Sequence, residues 1–292
     1  MGGTHSKKVK NKSKSAKHMV PFLDVEVYKH IDDTCSFSGI TFLKDGRIAI
    51  ADYLGHYVKF YDWKMLKLLD SVELATPPYG ICTSSICESY LYVTMPFEHK
   101  VLHFKVKDDR LDLVKHISTE GRCYGIASFK DGIAVGLRVE KHSWRVEILD
   151  YAGSVLKVFK DDDHGRDLFG YADYLTVDPD GSRLYVSDGV QNSVICLNLQ
   201  DSTMVSIKEM FRYTDSHLSI PKGLTLDCEA NLYVIGCESN NVHKISSTGD
   251  KIGVVLGHRE QLDKPMGIVY DNYEKKLFVT EGSRKVMVFV DG

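Results

Sequence analysis

Five acidic residues stand where side chains from separate elements could be brought together. Asp52, Asp188 and Glu281 each close a short apolar run, Glu238 lies just beyond another, and Asp173 opens a third. Converging carboxylates could hold calcium or exchange protons with a substrate. Carboxylates at the ends of apolar runs also cap loops by accepting backbone N–H bonds, and that is the expected role here. His99 and His103 form an H-x-x-x-H string, the ligand type for zinc, but on a strand the two lie about 13 Å apart. They are expected to be surface or packing residues. No nucleophile elbow, phosphate-binding glycine loop or Cys/His pairing is present. The seven cysteines, at 35, 82, 87, 123, 196, 228 and 237, include no Cys-x-x-Cys pair, which fits a reducing, cytoplasmic setting. No metal or other cofactor is expected.

A different chemistry is written at the start. Met1-Gly2-Gly3-Thr4-His5-Ser6 fits the N-myristoylation pattern, with Gly2 as acceptor. Lys7, Lys8, Lys10, Lys12, Lys14 and Lys17 follow, with no acid among the first 20 residues. One myristoyl chain binds a membrane only marginally, so a second signal is required, and each lysine near an anionic leaflet adds up to about 1 kcal/mol. Residues 1–20 are therefore expected to be a basic leader that tethers the chain to the inner face of the plasma membrane. Of the 37 basic residues, 31 remain in 21–292 against 40 acidic ones, so the body carries −9.

The elements that would position these residues repeat. Ser38-Gly39-Ile40-Thr41, Tyr79-Gly80-Ile81-Cys82, Tyr124-Gly125-Ile126-Ala127, Asp173-Tyr174-Leu175-Thr176, Lys222-Gly223-Leu224-Thr225 and Met266-Gly267-Ile268-Val269 recur at intervals of 41, 45, 49, 49 and 44 residues. A second apolar run follows each, such as Leu184-Tyr185-Val186 or Leu232-Tyr233-Val234. Asp45-Gly46, Asp131-Gly132 and Asp180-Gly181 stand between the two runs as tight hairpins require. A third run and, in the first five units, a more polar fourth complete the period of a β-propeller blade. The sixth unit ends after its third strand, and Asp24–Ile31 alternates correctly to supply the fourth. The expectation is an all-β, six-bladed β-propeller over 21–292, monomeric, closed by an N-terminal strand that completes the last blade and removes the open edges.

Tyr185-Val186-Ser187-Asp188 with Asn192-Ser193-Val194, and Ile50-Ala51-Asp52 with Gly55-His56-Tyr57-Val58, resemble the NHL repeat, the six-bladed propeller that ends many tripartite-motif proteins. The resemblance implies a module that binds proteins or single-stranded RNA. Related six-bladed propellers include calcium-dependent lactonase-like hydrolases and a zinc lyase. The inner runs contain no histidine for the latter. A fold alone licenses no chemistry, so the chain is expected not to be an enzyme, with a calcium-dependent lactonase-like hydrolase as an alternative.

The loops of one rim, the top, carry interface chemistry. Tyr53, His56, Tyr57 and Phe97 come from the first two units, Arg122, Tyr124, Arg138 and Trp144 from the third, and Arg166, Lys222 and Arg284 from the last three. They are expected to bind a protein partner. RNA, favoured by a local patch of Arg122, Arg138 and Arg166, is the alternative that the acidic body opposes. A closing strand entered from the opposite, bottom rim would set the bottom near the membrane and leave the top loops free.

Overall fold

The computed structural model describes residues 19–26, 35–141, 143–162, 164–200, 209–282 and 285–291. The chain begins with β1 (Met19–Glu26), which stands apart from the blade that follows it. Blade 1 comprises β2 (Phe37–Phe42), β3 (Arg47–Asp52), β4 (Tyr57–Asp62) and β5 (Lys67–Glu73). Blade 2 holds β6 (Ile81–Thr83), β7 (Tyr90–Met95), β8 (Lys100–Lys107) and β9 (Arg110–Ser118). Blade 3 holds β10 (Arg122–Phe129), β11 (Gly132–Glu140), β12 (Ser143–Leu149) and β13 (Val155–Phe159). Blade 4 is β14 (Tyr174–Val177), β15 (Arg183–Asp188), β16 (Ser193–Asn198) and β17 (Glu209–Thr214). Blade 5 is β18 (Pro221–Leu226), β19 (Leu232–Gly236), β20 (Asn241–Ile245) and β21 (Lys251–Leu256). Blade 6 has β22 (Pro265–Asp271), β23 (Lys276–Glu281) and β24 (Lys285–Asp291), and β1 pairs antiparallel with β24 to complete it.

Six four-stranded antiparallel sheets result, and the expected six-bladed propeller is the observed fold. The closing strand differs in extent from expectation. It runs over Met19–Glu26, not Asp24–Ile31, and starts two residues inside the segment assigned to the leader. Val20 faces Val290 and Val25 faces Val286, with a register shift between Pro21 and Leu23. Because Met19 lies opposite Asp291, where β24 ends, the closing strand begins at the bottom rim. The remaining calls on the leader, Gly2 and its six lysines, lie outside the described residues.

The second strands are apolar along their whole length because neighbouring blades cover both faces. Leu184, Tyr185, Val186, Leu232, Val234, Leu277 and Val279 are all fully buried. The core is six clusters rather than one, each between two successive blades. The seam between blades 6 and 1 packs Phe278, Val286 and Val288 on Phe37, Ile48 and Ile50.

Hydroxyls fasten several seams. Thr94 donates to Tyr124 O at 2.6 Å, Ser187 to Lys222 O at 2.7 Å, and Thr280 to Phe37 O at 3.2 Å. Each sits in the second strand of an even-numbered blade and reaches the first residues of the next. Blade 3 solves the same contact by having no side chain. A Cβ at Gly136 would run into Ala172 O of the following loop, so only glycine allows that approach.

Candidate active site

The first strands face the axis. Gly39, Gly80, Gly125, Gly223 and Gly267, with the Ile or Leu that follows each, line a cavity of about 50 Å³. Blade 4 breaks the glycine series with Tyr174. Its ring reaches across the axis, and its hydroxyl donates to Ser38 O of blade 1 at 2.8 Å. The top of the channel is thereby bridged, and chemistry on the axis is confined to the mouth above Tyr174.

That mouth is ringed by the residues that precede the axial position in each blade: Ser38, Tyr79, Tyr124, Asp173, Lys222 and Met266. The Lys222 ammonium lies 2.5 Å from Asp173 Oδ2, and the Tyr79 hydroxyl donates to the same oxygen at 3.1 Å. Asp173 is 4% exposed and the Lys222 side chain 14%. A carboxylate so buried is tolerated because it is paired. Burial, and then the charge of Asp173, hold the Tyr79 phenol well above its ordinary range, and the same two causes raise Tyr174. Both therefore remain protonated donors.

Asp173 Oδ1 is buried with no partner among the described residues. Buried acceptors of this kind are uncommon in folded proteins. Lys222 has three N–H donors, of which the bond to Asp173 uses one.

Around this pair the mouth has two unlike halves. Tyr53, Tyr79, Tyr124, Trp144 and Tyr171 form a continuous arc with centroid separations of 6.1, 5.1, 5.1 and 5.1 Å. Tyr174 joins it 5.4 Å from Tyr79. The other half carries Lys222, Cys237 and Met266, with the two sulfurs 3.8 Å apart. Burial raises the Cys237 thiol, so it is no ready nucleophile.

The residues expected to bind a partner fall into several environments. Tyr53, Tyr124 and Lys222 belong to the mouth, and Lys222 is committed to Asp173 rather than free on a loop. Trp144 is 4% exposed, a floor of the arc rather than a rim contact. Phe97 is exposed under the Arg122 guanidinium, 5.1 Å from its ring. Arg138 lies directly opposite Arg122. His56 and Tyr57 turn into β4, with His56 at a φ of 58°. Arg166 is held by Asp162 of its own loop, with Nε–Oδ2 at 2.7 Å. Arg284 lies outside the described residues.

Three of the remaining acids behave as loop caps, as expected, while Glu238 instead lies 3.8 Å from Lys264. Asp52 accepts from Ser36 N and Gly55 N and binds Lys59 at 2.7 Å. Asp188 accepts from Gly170, Tyr171, Val190 and Gln191 backbone N–H groups, while Glu281 accepts from Asp263 N. His103 is packed between Tyr90 and Tyr92. Among the described residues no three His, Cys, Asp or Glu side chains lie close enough to hold a metal ion. The ammonium of Lys222 already occupies the cation position beside Asp173. This donor set does not fit the calcium of lactonase-like propellers.

Tyr79, Tyr171 and Tyr174 were not singled out by sequence reasoning, nor was Asp173 set beside Lys222. The signal was in the repeat. The position before each axial glycine is one column of the mouth, and Asp173-Tyr174 is where the glycine rule fails.

The fold and mouth together define a six-bladed propeller with a polar pair at the top of a bridged axis. Residues 164–283 match the family model described as SMP-30/Gluconolactonase/LRE-like region, less than half of the chain. Among solved structures, the chain is similar to one titled "Streptogramin B lyase structure", at 14% identity and a TM-score of 0.66. That likeness covers 92% of this chain and 97% of the other. No curated protein matches the chain significantly. These matches do not confirm the NHL or tripartite-motif resemblance. The expectation that the chain is not an enzyme is corrected, because both matches carry the names of enzyme propellers.

Proposed function

We propose that this propeller is a small-molecule enzyme that opens a lactone or aryl ester at its top mouth. The observation that carries the reading is the buried, unpartnered Oδ1 of Asp173 beside the Lys222 ammonium at the open end of the axis. The gluconolactonase-type family match over blades 4–6, which supply both residues, supports it. In this mechanism a water molecule gives its proton to Asp173 Oδ1 as its oxygen attacks the acyl carbon. The remaining N–H groups of Lys222 meet the oxyanion that forms, and the proton passes to the leaving alkoxide as the C–O bond breaks. General-base action contributes about 10²–10⁴-fold and a donor aimed at an oxyanion about 10²–10³-fold. Tyr79 holds Asp173 in place.

The test is a panel of γ- and δ-lactones and aryl acetates followed by proton release at constant pH. Turnover that falls at least about 100-fold in Asp173→Asn, with the fold intact, is expected. It should be unaffected by a chelator, since no step needs a divalent cation. Absence of turnover above buffer for the whole panel refutes the reading.

A protein partner on the same rim is a second reading, favoured by Phe97 and Tyr171, which are 46% and 42% exposed. Delivery to a membrane through Gly2 and the six lysines is a separate part of the proposal. Labelling with an alkyne myristate, beside Gly2→Ala, tests it.

A further inference from the structure

Blade 3 carries a pair of arginines that neither the hydrolytic pair nor the packing explains. Arg122 on β10 lies directly opposite Arg138 on β11, and Arg138 lies directly opposite Trp144 on β12. Directly opposed residues share one face of a sheet, and like charges placed so destabilise it. Several other arginines are paired with acids. Arg145 meets Glu120 and Glu147, Arg47 meets Asp45, and Arg212 meets Glu209. Neither Arg122 nor Arg138 has an acidic partner among the described residues, and the described contact of Arg122 is the Phe97 ring. Two arginines paired across neighbouring strands, neither neutralised by an acid, are suited to capture of a carboxylate or phosphate.

The aromatic arc starts from the same row. Trp144 lies 5.1 Å from Tyr124 and 5.1 Å from Tyr171. The hydroxyls of Tyr124 and Tyr171 have no hydrogen-bond partner among the described residues, and Tyr171 is exposed. Tyr124 in turn lies 5.1 Å from Tyr79, whose hydroxyl holds Asp173. An aromatic shelf thus runs from the arginine pair to the hydrolytic pair.

We infer that the mouth takes a planar aromatic compound bearing a carboxylate or phosphate, its ring on Tyr124 and Tyr171 and its anionic group on Arg122 and Arg138. This rests on reading the mouth as a small-molecule site and names the substrate class. The arginine pair also keeps the anionic end away from Asp173, leaving the acyl end for Lys222.

The test is quenching of intrinsic tryptophan fluorescence by benzoate, phenyl phosphate and the neutral benzamide. It uses the full chain, the double variant Arg122→Gln/Arg138→Gln, and Asp173→Asn. In the wild type the two anions are expected to bind at least tenfold more tightly than benzamide. The double variant should lose that preference with an unchanged near-ultraviolet circular dichroism spectrum, and Asp173→Asn should keep it. Equal binding of anion and amide, a preference that survives in the double variant, or no saturable anion binding overturns the inference. So does a short single-stranded RNA that binds more tightly than phenyl phosphate and loses binding in the double variant, since that moves the patch to nucleic acid. Anion preference without turnover of any ester retires the hydrolase reading and keeps the subsite. Turnover without the preference does the reverse.

Discussion

Replacing Lys222 with methionine removes the ammonium while keeping most of the stem, and leaves Asp173 buried beside the Tyr79 hydroxyl alone. Asp173 is 4% exposed and its contact with Lys222 is 2.5 Å, so screening by water is slight. Breaking such a pair from one side costs about 3–5 kcal/mol, because the surviving charge is left without compensation. At about 2–4 °C per kcal/mol for a chain near this size, the melting temperature should fall on the order of 10 °C. The companion Asp173→Asn/Lys222→Met removes both charges and leaves an amide able to accept from Tyr79. Most of the lost stability should return, while turnover of any lactone or ester stays abolished. Thermal unfolding followed by circular dichroism, with activity measured on the same preparations, separates the two roles. Should Lys222→Met lie within about 1 kcal/mol of the wild type, or the double variant be no more stable than the single one, Asp173 does not depend on Lys222 for its charge. The electrostatic account of the mouth would then be wrong.

Three further outcomes follow from the seams and the core. His243 is fully buried, with Nδ1 2.8 Å from the Tyr213 hydroxyl, and burial first, then Lys251, lowers its pKa to about 4, with Asp215 opposing. The unfolded chain takes up that proton near pH 6.5, so stability should be lost as pH falls from about 6.5 towards about 4 and level off below. The total is of the order of 3 kcal/mol, and His243→Gln should flatten the profile in urea unfolding. Thr280→Val strands Gly267 N–H and Phe37 O at the seam between blades 6 and 1. It should cost about 1–3 kcal/mol and raise hydrogen exchange along β22 (Pro265–Asp271). Gly136→Ala forces the blade 3–4 contact apart against Ala172 O and should cost about 1–3 kcal/mol, read from the shift in denaturation midpoint.

The propeller was legible because a blade is a local unit, and six copies of one strand pattern at a near-constant period admit few other folds. The closing strand was harder to bound. Asp24-Val25-Glu26-Val27 alternates as a strand should, but alternation alone does not mark where pairing starts, and Met19-Val20 sat in the shadow of the lysine-rich segment. The pairing of Met19 with Asp291 depends on ring closure. The mouth followed the same division. Residue types on the rim could be read blade by blade. The pairing of Asp173 with Lys222, 49 positions apart, depends on adjacent blades meeting at the same height. Trp144 was expected on the surface because aromatic residues in loops often are, yet it lies within β12 and is covered by Tyr124 and Tyr171.

Ring closure by the first strand sets a clock on synthesis. Glu26 and its partner Lys285 are separated by 259 positions, so β1 leaves the ribosome long before the strand that receives it. At about 5–20 residues per second the interval is roughly 13–50 s. During it the strand's N–H and C=O groups are bonded only to water and open to pairing with a neighbouring nascent chain. Met19, 1% exposed in the finished ring, has no seat until blades 5 and 6 exist. The yield of native protein should therefore depend on translation speed and on chaperones that occupy a waiting strand, more than on the stability of any single blade.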